Sequence, residues 1–204
     1  MKQMLSLCVL GLAVLPALAA DPAAIDKPTA TVGTTWRMRV VDGLTKAPVS
    51  DSTYRISAVN ERDVEISNEA GEVVTVLDAA TYGLRRTGEQ VFDPSLERLR
   101  YPLAAGNRWD AAYRYDHPRC GPTQSRLTFK VAGWEDVDTP AGRLRAMRID
   151  SQGQWRNGCG SDRHAHKHWM VPDLGVPVRQ ESTVYVQGRM YSYEVHELVS
   201  LQRP

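Results

Sequence analysis

The sequence carries almost no net charge: 25 Lys and Arg stand against 24 Asp and Glu in 204 residues. A chain so balanced exerts no electrostatic pull on phosphate backbones or anionic headgroups, which argues against nucleic acid and the membrane surface as partners. The motifs that mark common catalytic centres are also missing. There is no Gly-x-Ser-x-Gly elbow, no Ser-x-x-Lys, no Cys-x-x-Cys and no glycine-rich phosphate loop. Asp136 and Asp138 stand in turn contexts, where carboxylates ordinarily serve the turn itself. The expectation is a protein that is not an enzyme. Long apolar runs are absent too, save one at the front, so no membrane span is expected after it. An outer-membrane barrel would need one consistently apolar lipid face, whereas the candidate strands carry Arg, Glu, Lys or Gln on both faces.

The one apolar run, Met4 to Leu15, is broken only by Ser6 and Gly11, follows Met1-Lys2 and precedes Pro16-Ala17-Leu18-Ala19. That is the pattern of a secretory signal peptide over 1–19, cleaved after Ala19, and it predicts a periplasmic or secreted protein. Cysteine is scarce, with three in all. Cys8 departs with the leader, and Leu5-Ser6-Leu7 before it lacks the small residue that lipid attachment needs. Cys120 and Cys159 remain, and in an oxidising compartment an even pair predicts one disulfide.

About 185 residues remain, enough for one domain with a proper core. Residues 20–32 read as a flexible lead-in and 33–204 as a single β domain. Short alternating segments bounded by Gly, Pro, Asn or Asp predict strands at 36–41, 53–59, 64–67 and 72–77. A second series follows at 108–115, 125–131, 144–154, 165–171, 176–186 and 189–198, with a tight turn at Gln187-Gly188. Pro94 to Arg100 offers one short helical candidate. The two series echo each other at an offset of 73: Gly33-Thr-Thr-Trp36 returns as Gly106-Asn-Arg-Trp109, and Asp63-Val64 as Asp136-Val137. The fold class expected is all-β, with antiparallel meanders forming a curved sheet, a sandwich or an incomplete barrel, in two similar halves (33–100 and 101–204) or without internal symmetry. Trp36 and Trp109, each at the start of a strand after Gly-x-x, are expected to anchor the core.

Tyr101-Pro-Leu-Ala-Ala-Gly-Asn-Arg-Trp109, Trp134-Glu-Asp-Val-Asp-Thr-Pro-Ala-Gly-Arg-Leu-Arg-Ala-Met-Arg-Ile149 and Trp169-Met-Val-Pro-Asp-Leu-Gly175 together resemble a group of exported bacterial β-domains. The resemblance covers roughly 101–180 and is to domains of unknown function of the DUF3108 kind. It implies an exported β fold and no catalytic residues. Within it, Thr139-Pro140-Ala141-Gly142 is a structural turn, with Pro140 presetting φ and Gly142 taking the positive-φ position.

One segment could carry chemistry. His164, His166, His168 and Met170 recur at period two, so a strand places them on one face. A four-residue loop at 172–175 would put Glu181 opposite His166 and Arg179 opposite His168. A two-residue turn at 187–188 would bring Glu194 and His196 into the same face. Two histidines at i and i+2 with a third ligand across the ladder, His196 or Glu181, can bind Zn²⁺ or Cu²⁺. The same pattern also fits the solvated face of an antiparallel sheet, on which Arg179 would repel a cation. A second zinc set, His117, Cys120, Cys159 and His164, competes with the disulfide. The expected function is therefore an exported, non-enzymatic module binding an apolar ligand, an envelope component or a protein partner. The alternative is a Zn- or Cu-binding protein using His164, His166, His168, Glu181 and His196, the only cofactor the sequence suggests.

Overall fold

A computed structural model describes residues 21–204 except residue 173; the expected signal peptide, 1–19, lies outside the described residues. After the two-residue strand β1 (Ala24–Ile25) comes a meander of β2 (Thr35–Asp42), β3 (Pro48–Val59), β4 (Asp63–Ser67), β5 (Val73–Asp78), β6 (Leu84–Thr87) and β7 (Gln90–Leu96). The short β8 (Leu103–Ala104) leads into a second meander of longer strands. These are β9 (Arg108–His117), β10 (Gly121–Thr139), β11 (Gly142–Asn157), β12 (Gly160–Met170), β13 (Arg179–Val186) and β14 (Arg189–Gln202). β14 pairs with β2, and β7 meets β9, so twelve antiparallel strands close into one barrel. The all-β expectation holds, and the barrel is closed where an incomplete one was among the alternatives. Among the described residues no helix is long and apolar enough to cross a membrane.

Closure follows from alternation. Along β10, Thr123, Ser125, Leu127, Phe129 and Val131 are buried, while Gln124, Arg126, Thr128 and Lys130 between them are exposed. Period two sends the first set into the barrel and the second to the outer wall. Trp36 and Trp109 are both buried inside. Each stacks on the aromatic directly opposite on the next strand: Trp36 on Tyr54, and Trp109 on Phe129 with ring centroids 5.1 Å apart and planes nearly parallel. The indole N–H of Trp109 donates to the Glu97 carbonyl at 2.9 Å, which satisfies its one polar atom.

The two strand starts are built alike. Gly33 and Gly106 both hold positive φ, at 96° and 90°. Each turn is closed by the same three bonds: Thr34 N–H to Thr31 and Asn107 N–H to Ala104, Ile56 N–H to Thr34 and Val131 N–H to Asn107, Gly33 N–H to Ile56 and Gly106 N–H to Val131. The echo at 73 residues thus marks one turn used twice, while the halves share a single barrel.

Two expectations are corrected. Residues 21–32, read as a flexible lead-in, lie against the barrel. β1 pairs with β8, Ile25 is buried, and the Tyr82 hydroxyl donates to the Pro28 carbonyl. The short apolar content of that segment (Ile25 and the alanines) suffices because it covers one end of the barrel and need not build a core. The helical candidate at 94–100 is partly strand, since β7 runs through Leu96. The four residues left after Leu96 are too few to nucleate a helix beside a sheet that offers ready backbone partners.

Cys120 and Cys159 are bonded, with Cα atoms 5.3 Å apart. They sit in the β9–β10 and β11–β12 connections, which the up-down order brings to the same end of the barrel. Thr139 pairs with Gly142 across a two-residue turn at the opposite end, with Pro140 inside it and Gly142 at φ 116°. Two predictions follow from this framework. Denatured, unreduced protein should titrate no free thiol, and a Cys120→Ser/Cys159→Ser variant should lose on the order of 3–4 kcal/mol; two free thiols would contradict the bond. Trp109→Ala should lose about 3–5 kcal/mol in denaturant unfolding, and a loss below about 1 kcal/mol would show that the ring is not a core anchor.

Candidate functional site

The barrel interior is divided. Toward the end that holds Gly33 and Gly106 it is filled by Trp109, Phe129, Val131, Met147, Ile149 and Met170, all buried. Toward the disulfide end the inward positions turn polar: Thr123 and Ser125 on β10, Ser151 on β11, and three histidines on β12. On β12, His168 pairs with Ile149, His166 with Ser151 and His164 with Gly153. Those partners face inward, so the three imidazoles line the inside of the barrel and not a solvated face. His164 Nε2 lies 3.1 Å from Ser125 Oγ, and its Nδ1 lies 3.4 Å from His166 Nε2. His168 is 4% exposed, and its Nδ1 has no hydrogen-bond partner among the described residues.

The partners expected across the ladder are shifted by one residue. β12 ends at Met170 and β13 begins at Arg179, with Val178 N–H bonded to the Trp169 carbonyl, so the connection is longer than four residues. His168 therefore faces Gln180 and His166 faces Ser182. A bulge at Val184/Tyr185 shifts β14 equally, placing His196 opposite Gln180 and Glu194 opposite Ser182. One residue of slip sends every side chain of β13 to the other face. Glu181 and Arg179, expected among the histidines, instead join an outer charge ladder. Glu197 accepts from Arg39 at 2.8 Å and from Arg179 at 2.9 Å, and Glu181 accepts from Arg179 at 3.0 Å. The barrel wall thus separates Glu181 from His164, His166, His168 and His196, which stay on the inner side. No group of three or more His, Cys, Asp or Glu among the described residues is placed to hold a metal ion. The second zinc set is consumed by the disulfide, and His117 Nδ1 accepts the Arg119 and Cys120 amides, 3.2 Å each.

Sequence reasoning missed Arg98. It sits between Leu96 and Leu99, both buried, and its side chain lines an interior chamber of about 260 Å³ together with His168, Gln180 and His196. No hydrogen bond or ion pair to its guanidinium is present among the described residues; the titratable groups whose ionisation it influences are His166, His168, His196 and Tyr113. The signal in the sequence was a charge embedded in Leu-Glu-Arg-Leu. A second chamber of about 340 Å³ shares Trp36, Ile66, Leu77, Tyr82, Gly175 and Val176 with the first and reaches Thr29–Thr31, Arg203 and Pro204 at the barrel end opposite the disulfide. Through that shared wall the two adjoin, and together they run from the barrel end to Arg98, His168, Gln180 and His196.

Burial governs the electrostatics. Desolvation lowers His164 to about 4 and His166 to about 3, the latter helped by His164 and Arg98, and pushes His168 well below the ordinary imidazole range. His196 is lowered by burial against the pull of Glu194, whose Oε2 is 3.5 Å from its Nε2. Tyr113 rises to about 12, again through burial, and desolvation pushes Arg98 down. The imidazoles are therefore neutral at pH 7.

Structures of similar shape are known. A Bacteroides fragilis protein inferred to be exported, with a YmcC-like fold, aligns with TM-score 0.58 at 13% identity over 88% of this chain and 100% of its own. A Parabacteroides distasonis protein inferred to be a lipoprotein aligns with TM-score 0.51 at 13% identity, over 89% of this chain and 100% of its own. The hypothetical lipoprotein YmcC of Escherichia coli aligns with TM-score 0.49 at 11% identity, over 84% and 85%. At such identities the likeness to the first two is one of fold. No family model matches the chain, and no curated protein matches it.

The pH dependence has a definite sign. Unfolded histidine titrates near 6.5, so between that value and about 4 the unfolded chain binds protons that folded His164 refuses. Stability from the buried imidazoles is complete above about pH 6.5 and is lost as pH falls toward 4. Salt-bridged carboxylates such as Asp78, lowered by Arg85 and the Thr81 amide against desolvation, act only in more acid solution. The thermal midpoint should fall between pH 7.5 and 5, and imidazole NMR should show His166 and His168 unprotonated at pH 5. A titration midpoint near 6.5 for either would place it in water.

Proposed function

We propose that the protein is an exported, non-enzymatic β-barrel that holds an apolar small molecule in the passage made by its two adjoining chambers. The observation that carries this reading is the pair of joined chambers. Ligand sites are typically concavities of about 300–1,000 Å³; the chambers measure about 340 and 260 Å³, and Trp36, Ile66 and Leu77 give both an apolar wall. Export rests on the leader pattern of residues 1–19 and accords with the descriptions of the structural neighbours as exported proteins or lipoproteins. Kinship with domains of the DUF3108 kind belongs to this proposal too, resting on Tyr101–Trp109 and Trp134–Ile149.

One contact speaks for chemistry and is answered by its surroundings. Ser125 and His164 stand at nucleophile–base distance, but the other nitrogen of His164 meets His166 where a serine hydrolase places a carboxylate. Burial also depresses His164 to about 4, which makes it a weak base at neutral pH. Both residues are buried, and the Ser125 hydroxyl also reaches the Gln154 carbonyl at 3.3 Å. The pair reads as hydrogen bonding in a crowded interior.

The experiment is uptake of the neutral fluorophore N-phenyl-1-naphthylamine. Emission should rise to saturation at one probe per protein. Val176→Trp, which fills the segment common to both chambers, should abolish that rise and leave the melting temperature within a few degrees. Absence of saturable emission, or uptake unchanged in V176W, would remove the ligand reading. A fluorophosphonate probe should leave Ser125 unlabelled, and stoichiometric labelling would bring a hydrolase forward.

A further inference from the structure

Resting on the ligand reading above, we infer that the occupant is a long-chain carboxylate whose head seats on Arg98 at the deep end of the passage, with its apolar chain running toward the barrel end opposite the disulfide. Arg98 is held inward by its buried neighbours Leu96 and Leu99 and borders the deeper chamber. A guanidinium carries five N–H donors in a rigid fork, and inside a protein such a group is almost always met by acceptors. Here none of the described residues supplies one. On the same chamber wall His168, itself buried, presents Nδ1 with no partner. Gln180 stands between His168 and His196 in the ladder and adds an amide. Two independent unpartnered groups, a cation and an imidazole, thus border one chamber, and both are groups an anion would engage.

The charges around the chamber select the head. The titratable groups near Arg98 are His166, His168, His196 and Tyr113. The imidazoles are neutral at pH 7, and the phenol keeps its proton. Glu194 is engaged with His196 and its side chain is 45% exposed, so it does not neutralise Arg98. The site therefore holds one uncompensated positive charge. A carboxylate brings one negative charge and two oxygens that match the fork. A phosphate monoester brings up to two charges at neutral pH, and the second would be left without a counter-charge in a desolvated site. Ile66, Leu77 and Leu174 along the passage then receive the chain.

The test compares cis-parinaric acid with its alcohol, parinarol, which has the same chain and no charge. The parent should bind the acid at least about tenfold more tightly. Arg98→Met should erase that preference by weakening the acid and leaving the alcohol within about twofold. Without ligand, R98M should melt no lower than the parent, because no hydrogen bond or ion pair to the guanidinium is lost; a structural arginine would melt lower when replaced. The acid–alcohol comparison on the parent needs no variant and stands if R98M fails to fold. Equal binding of acid and alcohol would overturn the carboxylate inference alone and leave the ligand reading intact. Failure of both to bind would overturn the ligand reading itself. Displacement of the acid by dodecyl phosphate more readily than by dodecanoate would overturn the choice of head group.

Discussion

A closed sheet gives every strand a face that the chain must fill, and the rest of this structure depends on how that is done. Twelve strands enclose more interior than side chains of ordinary size can pack solidly. Half the barrel solves the problem with aromatic and aliphatic residues, stacked as Trp109 on Phe129 and Trp36 on Tyr54. The other half solves it with imidazoles, hydroxyls and one guanidinium. Polar groups in such a place stabilise a fold only when they are paired. His164 meets that condition through Ser125 and His166. His168 Nδ1 and Arg98 do not, and their position on one chamber wall makes the site stand out from the packing around it.

The strands, the tryptophan anchors and the disulfide were legible in the sequence because each rests on a local rule. Alternation fixes a strand wherever one face is apolar, as along β10. Cys120 and Cys159 needed only a compartment and a parity. The echo of Gly33–Trp36 in Gly106–Trp109 was legible as well, and the structure gives it content as a turn with the same three hydrogen bonds.

What escaped was register, closure and the inside. A bulge at Val184/Tyr185 and a connection longer than expected after Met170 each shift the ladder by one residue, and neither leaves a signature in composition. That single step exchanged Arg179 and Glu181 for Gln180 and Ser182 beside the histidines. A strand with polar residues on both faces also gives no sign of which face is inside. His164, His166 and His168 alternate with Arg163, Ala165 and Lys167, and only the barrel decides between them. Arg98 was harder still, because its neighbours in space come from β12, β13 and β14, more than 60 residues away.

The account predicts an interior in tension: a stable disulfide-braced shell around groups that are better satisfied with a ligand than without. Acid should expose that tension, since the imidazoles gain protons only by leaving their places, while neutral pH preserves both shell and chamber. The most direct measurement is a high-resolution crystal structure of protein taken from the exporting cell without detergent. The account predicts elongated non-protein density in the passage, its head within hydrogen-bond distance of the Arg98 guanidinium and His168. Arg98 turned out to solvent or paired with a carboxylate of the chain, and the passage closed by side chains, would contradict it.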